Sequence, residues 1–268
     1  MMRTVVLSLV GAIALTASAF AQAEKPALKQ TTKFVEAEVS IDPKLRAHAG
    51  LYDNLLAEGR RAIAAWQKDA DQNAKDDAEY FKSGRKYSYE RNYRQESFVG
   101  NRYVSMTRVD ATYTGGAHPN TDIDTLLWDT QAKKRISIRP FFTDLADNSP
   151  AMKALADAVR YAAACEKREK ADEAGKPGGA DCKPEPDEIN SDELKRIAPK
   201  LIGGIGPISL ARSKTPGKSA GLIVNYSPYA IGSYAEGAYF PFVHWSKFKD
   251  FLSAEGRAIF AGDKADDE

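Results

Sequence analysis

The residues able to do chemistry in this chain are few. Histidine occurs three times, as His48, His118 and His244, and cysteine twice, as Cys165 and Cys182. A zinc site draws three or four ligands together. No HExxH, no closely paired cysteines and no histidine cluster supply them, so no metal is expected. His118, in the run Tyr113-Thr114-Gly115-Gly116-Ala117-His118-Pro119-Asn120, is the best single candidate for acid-base work, because an imidazole changes charge near neutrality. Asp110 and Asp122 are candidate partners on either side of that connection. The plainer reading has the ring nitrogens bonding backbone and holding the turn. His244 with Ser233 or Ser246 has the ingredients of a nucleophilic site, yet no GxSxG frames either serine.

Tyrosine is the more abundant resource, with twelve in the chain. Tyr226, Tyr229, Tyr234 and Tyr239 either bury against a sheet or present an aromatic groove to a glycan or a protein, since each ring is apolar with a polar tip. Glu236 either reaches a ligand or accepts local hydrogen bonds, and Gly237 after it allows positive φ. The candidate binding residues are Tyr113, Gly115, Gly116, His118, Tyr226, Tyr229, Tyr234 and Glu236.

The chain has 268 residues and opens with an address label. Arg3 precedes an apolar, small-residue stretch to Phe20, with cleavage-type sites at Ala19-Phe20-Ala21 and Ala21-Gln22-Ala23. Residues 1–23 are expected to be a secretory signal rather than a membrane anchor, being short and followed at once by polar sequence. No integral membrane segment is expected after cleavage, and the location is periplasmic or secreted. The 38 basic and 37 acidic residues become 37 and 37 once Arg3 leaves, so no net charge steers the chain toward nucleic acid. Sixteen residues separate Cys165 from Cys182. In an oxidising compartment that pair is expected to form a disulfide closing a charged loop, worth about 3 kcal/mol at most.

The elements that must position these residues follow from periodicity. Residues 22–31 read as a loose tail and 32–41 as a strand, with Val35, Ala37, Val39 and Ile41 on one face. Asp42-Pro43 starts a helix running to about Lys68, with Leu45, Tyr52, Leu55, Leu56, Ile63 and Trp66 as its stripe. Residues 86–95 and 102–113 alternate as an antiparallel hairpin around Gly100-Asn101. Residues 122–129 and 135–139 form another. Ser149-Pro150 opens a helix ending near Cys165, and a capping box at residues 190–193 opens one to about Leu201. The glycine run 203–206 follows a helix and lacks the lysine-hydroxyl pair, so it is no nucleotide loop. Strands at 208–212, 221–226 and 238–244, a helix at 245–252 and an acidic frayed tail from 261 complete the chain. The expected fold class is α+β, with mixed and antiparallel sheets and packed helices; the length allows one large domain or two closely associated subdomains.

The run 113–118 resembles the signature of a bacterial extracytoplasmic domain family, DUF3298. The similarity continues through Leu127-Trp128-Asp129-Thr130 and 135–145, and returns at Asn225-Tyr226-Ser227-Pro228-Tyr229, Ser233-Tyr234-Ala235-Glu236-Gly237 and Phe240-Pro241-Phe242. Residues 24–112 resemble, less specifically, the DUF4163 companion domain that usually precedes it. The resemblance implies an N-terminal subdomain 24–112, a C-terminal domain 113–262 carrying the loop 165–182, a tail 263–268, and no cofactor. Relatives form the outer part of lysozyme-sensing anti-sigma factors or are appended to peptidoglycan deacetylases. This chain lacks the cytoplasmic segment of the first and the metal triad of the second. What carries over as an expectation is a cell-envelope binding protein, with a lysozyme-like protein or a peptidoglycan fragment as partner. An envelope hydrolase using His118 is the alternative, and a structural module without a small ligand is a third.

Overall fold

The structure is a computed structural model that describes residues 25–76, 78–171 and 182–266. The expected signal, most of the loop between the cysteines and the last two residues lie outside the described residues.

Strand β1 (Leu28–Thr31) runs antiparallel to β2 (Val35–Ile41), so part of the segment expected to be loose is an edge strand. The alternation in β2 is that of its sequence, with Val35, Ala37, Val39 and Ile41 buried. The chain then crosses over the sheet, because β2 pairs in parallel with β3 (Tyr87–Val99) and parallel neighbours need a long connection. The crossover is a 3-10 turn (Pro43–Ala47), helix α1 (Ala49–Asp76) and the short α2 (Ala78–Lys82). Asp42 fixes both ends of this step: its side chain accepts from the Lys44 N–H at 2.9 Å and from the Gln95 N–H of β3 at 3.1 Å. The helix therefore starts seven residues after Asp42 and runs past the expected end at Lys68. Leu51, Leu55, Ile63 and Ala70 are among its buried residues, and Tyr52, Leu56 and Trp66 are half-buried beside them.

A turn with Gly100 at φ 58° and Asn101 at φ 52° leads to β4 (Tyr103–Tyr113), which pairs antiparallel with β3. Strand β5 (Asn120–Asp129) and the short β6 (Lys134–Ile136) extend the sheet to six strands in sequence order. The expected boundary at 112/113 falls at the end of β4, within this sheet. Two cores lie on its two faces. Val104, Met106, Leu126 and Trp128 belong to the core under α1; their neighbours Tyr103 and Leu127, with Val99, belong to the other. That is why residues 103–107 are buried without interruption where period-two alternation was expected.

The second core is closed by helix α3 (Pro150–Ala171), the short α4 (Pro186–Ile189) and a three-stranded antiparallel sheet, β7 (Ile208–Arg212), β8 (Ser219–Val224) and β9 (Phe242–His244). The Ser149 hydroxyl accepts from the Met152 N–H at 3.2 Å, capping α3, which continues beyond Cys165 to Ala171. The sulfurs of Cys165 and Cys182 lie 2.16 Å apart, at disulfide distance. Ser97 donates to the Leu210 carbonyl at 2.7 Å and Ser105 accepts from the Leu210 N–H at 2.8 Å, so two buried hydroxyls complete the edge of β7 and join the sheets. Gly221, at φ 148°, lets β9 approach; a Cβ there would collide with the Val243 carbonyl.

Three expected segments differ. The helix at 192–201 is a 3-10 turn (Leu194–Arg196) followed by a wide turn (Leu201–Ile205), because Pro199 and the glycines interrupt the ladder. The helix at 245–252 is two 3-10 turns, with a true helix α5 (Ala254–Ile259) after them, capped by Ser253. The tail from 261 is laid against β7: Lys214 donates to Asp263 and Ala265 to Arg212, backbone to backbone.

Candidate functional site

The tyrosine-rich loop is closed at its base by a reciprocal pair, the Tyr226 N–H to the Tyr239 carbonyl at 2.8 Å and the reverse at 3.0 Å. Both of those tyrosines are buried, and the Tyr226 hydroxyl donates to the Ile205 carbonyl. Burial pushes the Tyr226 phenol up from its ordinary pKa. Tyr229 and Tyr234 take the opposite course: Tyr229 is 58% exposed and Tyr234 half-buried. The Ala230 N–H donates to the Ser227 carbonyl at 3.1 Å, Pro228 sits at the second turn position and Tyr229 at the third has φ 72°. This is the pattern of a type II turn, whose third position favours glycine or asparagine. Here an aromatic ring occupies it.

Glu236 is committed locally. With Ser233 it forms a capping box, and it accepts from the Tyr239 hydroxyl and from Lys167 at 3.0 Å. The Tyr239 bond first, then Ser233 and Lys167, hold its carboxyl down at about 2. It organises the loop rather than offering itself to a ligand.

His118 lies at the surface, stacked on Tyr234 with ring centroids 3.8 Å apart and planes at 20°. Its Nδ1–H donates to the Pro119 carbonyl at 2.9 Å, and the Tyr234 hydroxyl donates to the same oxygen at 3.0 Å. Tyr113 donates to the Gly116 carbonyl, closing the turn from below. Gly115, at φ 91°, faces Tyr80 so closely that a Cβ would stand 2.6 Å from its ring. The glycine turn thus seats one aromatic ring and lays a histidine on another.

These parts border a cleft of about 390 Å³ between the loop and the first sheet, lined by Trp66, Tyr89, Asp110, Asn120, Asp122, Ser227, Tyr229 and Tyr234 among others. Trp66 and Tyr89 form its inner wall, centroids 5.6 Å apart, and the Trp66 indole N–H has no partner among the described residues. Asp110 and Asp122 stand directly opposite each other on β4 and β5, a like-charge pair that is unfavourable unless offset. Arg91 offsets Asp110 with two bonds of 2.6 Å, and Tyr89 donates to the same carboxylate at 3.3 Å. Asp122 is exposed and accepts from Ser227 at 3.3 Å, while Ser227 accepts from the Ile123 N–H at 2.8 Å and stitches the loop to β5.

Behind the cleft the charges continue as a network. Glu58 of α1 bonds Arg91 at 3.3 Å, Arg108 at 2.9 Å and Arg135, and Arg108 reaches Asp124 at 3.1 Å. Burial opposes ionisation of Glu58, but the Arg135 bond and the three guanidinium charges outweigh it and hold the pKa below its ordinary value. Burial also works against the Arg91 charge, and the Asp110 bond overcomes it.

The sequence therefore named both walls of the loop side, Tyr229 and Tyr234, and both carboxylates. It missed Trp66, which read as core stripe, and Tyr89, which read as strand alternation; no local signal marks either. Tyr226 is buried at the base of the loop and Glu236 is bonded within it, so neither lines this cleft. As for catalysis, the ring nitrogen of His118 that bonds protein meets a carbonyl rather than a carboxylate, and Asp110 is held by Arg91. His244 Nδ1 does accept from Ser246, at 2.8 Å, but it also accepts the Ser246 N–H as the cap of a 3-10 turn, and its Nε2–H donates to the Gly262 carbonyl. His48 lies against Phe98, and burial lowers its pKa. No group of three or more potential metal ligands occurs among the described residues.

Fold and site define an α+β protein with a cleft suited to binding. No known family model matches the chain, and no curated protein does. Among solved structures it is similar to a DUF3298 family protein from Pseudomonas aeruginosa, at 14% identity and a TM-score of 0.47, over 85% of this chain and 87% of that one. It is also similar to a member of the same family from Bacteroides fragilis, at 14% identity and a TM-score of 0.49, over 85% and 91% of the two chains.

Proposed function

We propose that this chain is an exported cell-envelope binding protein of the DUF3298 type, and that its contact surface is the ridge of Tyr229, Tyr234 and His118 beside the cleft. The observation that carries the reading is Tyr229: an aromatic side chain, mostly exposed, at a turn position whose positive φ favours glycine. Backbone strain of about 1–3 kcal/mol persists where the surroundings over-determine it, and such positions cluster at binding sites. Two of the runs that carry the family resemblance, 225–229 and 233–237, supply Ser227, Pro228, Tyr229 and Tyr234 to the loop side of the cleft. The leader sequence and the cysteine pair fit an oxidising compartment. Among the described residues no helix is long and apolar enough to cross a membrane.

A lysozyme-like protein is the protein partner the resemblance suggests; a wall fragment is the other occupant. Calorimetry with purified lysozyme and co-sedimentation with purified sacculi, each on the wild type and on Tyr229→Gly with Tyr234→Ala, test the surface. Saturable binding that the double variant loses is expected for at least one of them. Wild-type binding to neither, or binding to which the variant is indifferent, overturns the assignment.

A further inference from the structure

The cleft beside Tyr229 does not stand alone. A second, of about 430 Å³, shares Asp122, Ser227, Pro228 and Tyr229 with it. A third, of about 470 Å³, shares Pro207, Tyr226 and Ala230 with the second. On the other side one of about 370 Å³ shares Trp66 with the first. The four form a continuous band from α1, across the edge of β5, to the glycine turn at 201–205. Each volume is at the small end of the roughly 300–1,000 Å³ of ligand pockets. A row of small, connected subsites suits a chain of repeating units better than one compact molecule.

The lining says what kind of unit. Aromatic rings stand at all three junctions, Trp66, Tyr229 and the buried Tyr226; the first two are the less buried and can take the apolar face of a ring. Along the band the polar groups are side-chain amides, hydroxyls and carboxylates: Gln72 and Asn73, then Asn120 and Asp122, then Ser227. These exchange hydrogen bonds with groups that both donate and accept. Cations are scarce: Arg196, at the far end, is the one Lys or Arg lining any of the four. Asp122, opposite Asp110 and without an arginine of its own among the bonds described, adds an uncompensated negative charge. A polyanion is repelled here, and a ligand rich in O–H and N–H donors is favoured.

We infer that the band is a subsite row for an amino-sugar polysaccharide chain, its sugar rings stacked on Trp66 and Tyr229 and its hydroxyl and amino or acylamino groups bonded by Asn120, Asp122 and Ser227. The inference rests on the proposed function and specifies the occupant of its surface. The probes are β-1,4-linked oligomers of N-acetylglucosamine and of glucosamine, with two to six units, and an oligogalacturonate series as the anionic control. Binding to the full chain is read by calorimetry and by tryptophan fluorescence.

For one or both amino-sugar series, affinity is expected to rise about tenfold or more from dimer to hexamer, and the anionic series is expected not to bind. Tyr229→Gly, which suits the turn, is expected to weaken the hexamer about tenfold. Asp122→Asn is expected to weaken glucosamine oligomers more than acetylated ones. Trp66→Phe is expected to abolish the fluorescence change while calorimetric binding is retained at reduced strength. Binding independent of length, binding unaltered by Tyr229→Gly, or binding confined to the anionic series overturns the inference. So does Tyr229-dependent binding of lysozyme with no oligosaccharide bound, and that result leaves the proposed function standing.

Discussion

Under α1 the six-stranded sheet presents Arg91, Arg108 and Asp110 to Glu58 of the helix, among the rings of Tyr89 and Tyr93. Across the sheet, Val99, Tyr103 and Leu127 meet Phe141, Leu155, Phe248 and Phe260 in a mostly hydrocarbon core, with Ser97 and Ser105 bonded to β7 and the buried Asp129 paired to Arg102 at its margin. Both faces bury a hydrocarbon core, but the face under α1 adds a network of paired charges beside it. The charged face is where the cleft opens, so Asp110 can border solvent on one side and Arg91 on the other. On the other face the one buried carboxylate among the described residues, Asp129, is held at the margin by Arg102. The contrast teaches that the network here is an extension of the site into the fold, and that charges are tolerated inside because each has a partner.

The largest effects should come from breaking each face in its own way. Asp110→Ala leaves Arg91 buried with its main partner gone and is expected to cost about 3–5 kcal/mol in denaturant unfolding. Phe248→Ala, which opens a cavity in the dry core, should cost a similar 3–5 kcal/mol or so. The repair distinguishes them. Pairing Asp110→Leu with Arg91→Met should recover most of the first loss, since a buried ion pair and its hydrophobic replacement are often nearly equal in stability. No single polar or charged substitution should rescue the second. If the Arg91 and Asp110 losses simply added in the double variant, the network would not be a unit and the contrast would fall.

The fold was legible wherever one face of an element alone was buried. In β2 the alternation of Val35, Ala37, Val39 and Ile41 with polar residues is both sequence and structure. The same rule misread 103–107, because a strand between two cores has no solvent face to reveal a period. It misread 192–201 because buried Leu194 and Ile197 have helical spacing although Pro199 and the following glycines leave no room for a helix. At the site, Tyr229 and Tyr234 could be named but not told from Tyr226 and Tyr239. Burial depends on which residues close the loop, and that pairing is set by the register of β8 and β9. Trp66 was invisible as a site residue because the cleft forms only when the crossover helix and a loop more than 150 residues later meet.

Next in size is the cross-link. Cys165 lies within α3, next to Ala163 and Ala164 of the second core. Replacing both cysteines with serine should lower stability by up to about 3 kcal/mol through the entropy of the unfolded chain. Native-state hydrogen exchange should place the local loss in the last turns of α3, with β3 and β4 protected relative to global unfolding as before. A loss of protection concentrated in β3 would mean the two faces are not separately secured.

Acid should act on both regions. Asp129 is held at about 2 by the Arg102 bond together with the N–H groups of Ala132 and Gln131, and Glu236 at about 2 by Tyr239, Ser233 and Lys167. Each folded pKa is depressed, so the stabilisation is complete above the ordinary carboxylate range and disappears as pH falls toward 2. Thermal midpoints should be level between pH 7 and about pH 5 from these two groups and should decline below that. Glu58, also depressed, adds to the decline on the charged face. Glu58→Gln should flatten the acid limb for α1 and β3 amides, while Glu236→Gln should flatten it for the tyrosine loop. The Glu236 effect should be the smaller, because that carboxylate is more than a third exposed and solvent screens it.

The smallest stability effect is the most informative about function. Glycine tolerates positive φ without the steric cost of about 1–2 kcal/mol that a left-handed conformation imposes on a residue with a Cβ. Part of that gain is offset by the greater entropy glycine has in the unfolded chain. Tyr229→Gly should therefore raise stability by no more than about 1 kcal/mol, and little packing is lost because the ring is mostly in solvent. The equivalent change at Tyr239, fully buried and bonded to Glu236, should destabilise by about 3 kcal/mol or more. A tyrosine whose removal strengthens the fold while weakening binding is placed for its ligand. If Tyr229→Gly instead lost stability as Tyr239→Gly does, the ring would be part of the loop's own packing, and the division of the four tyrosines into two that close the loop and two that face outward would fail.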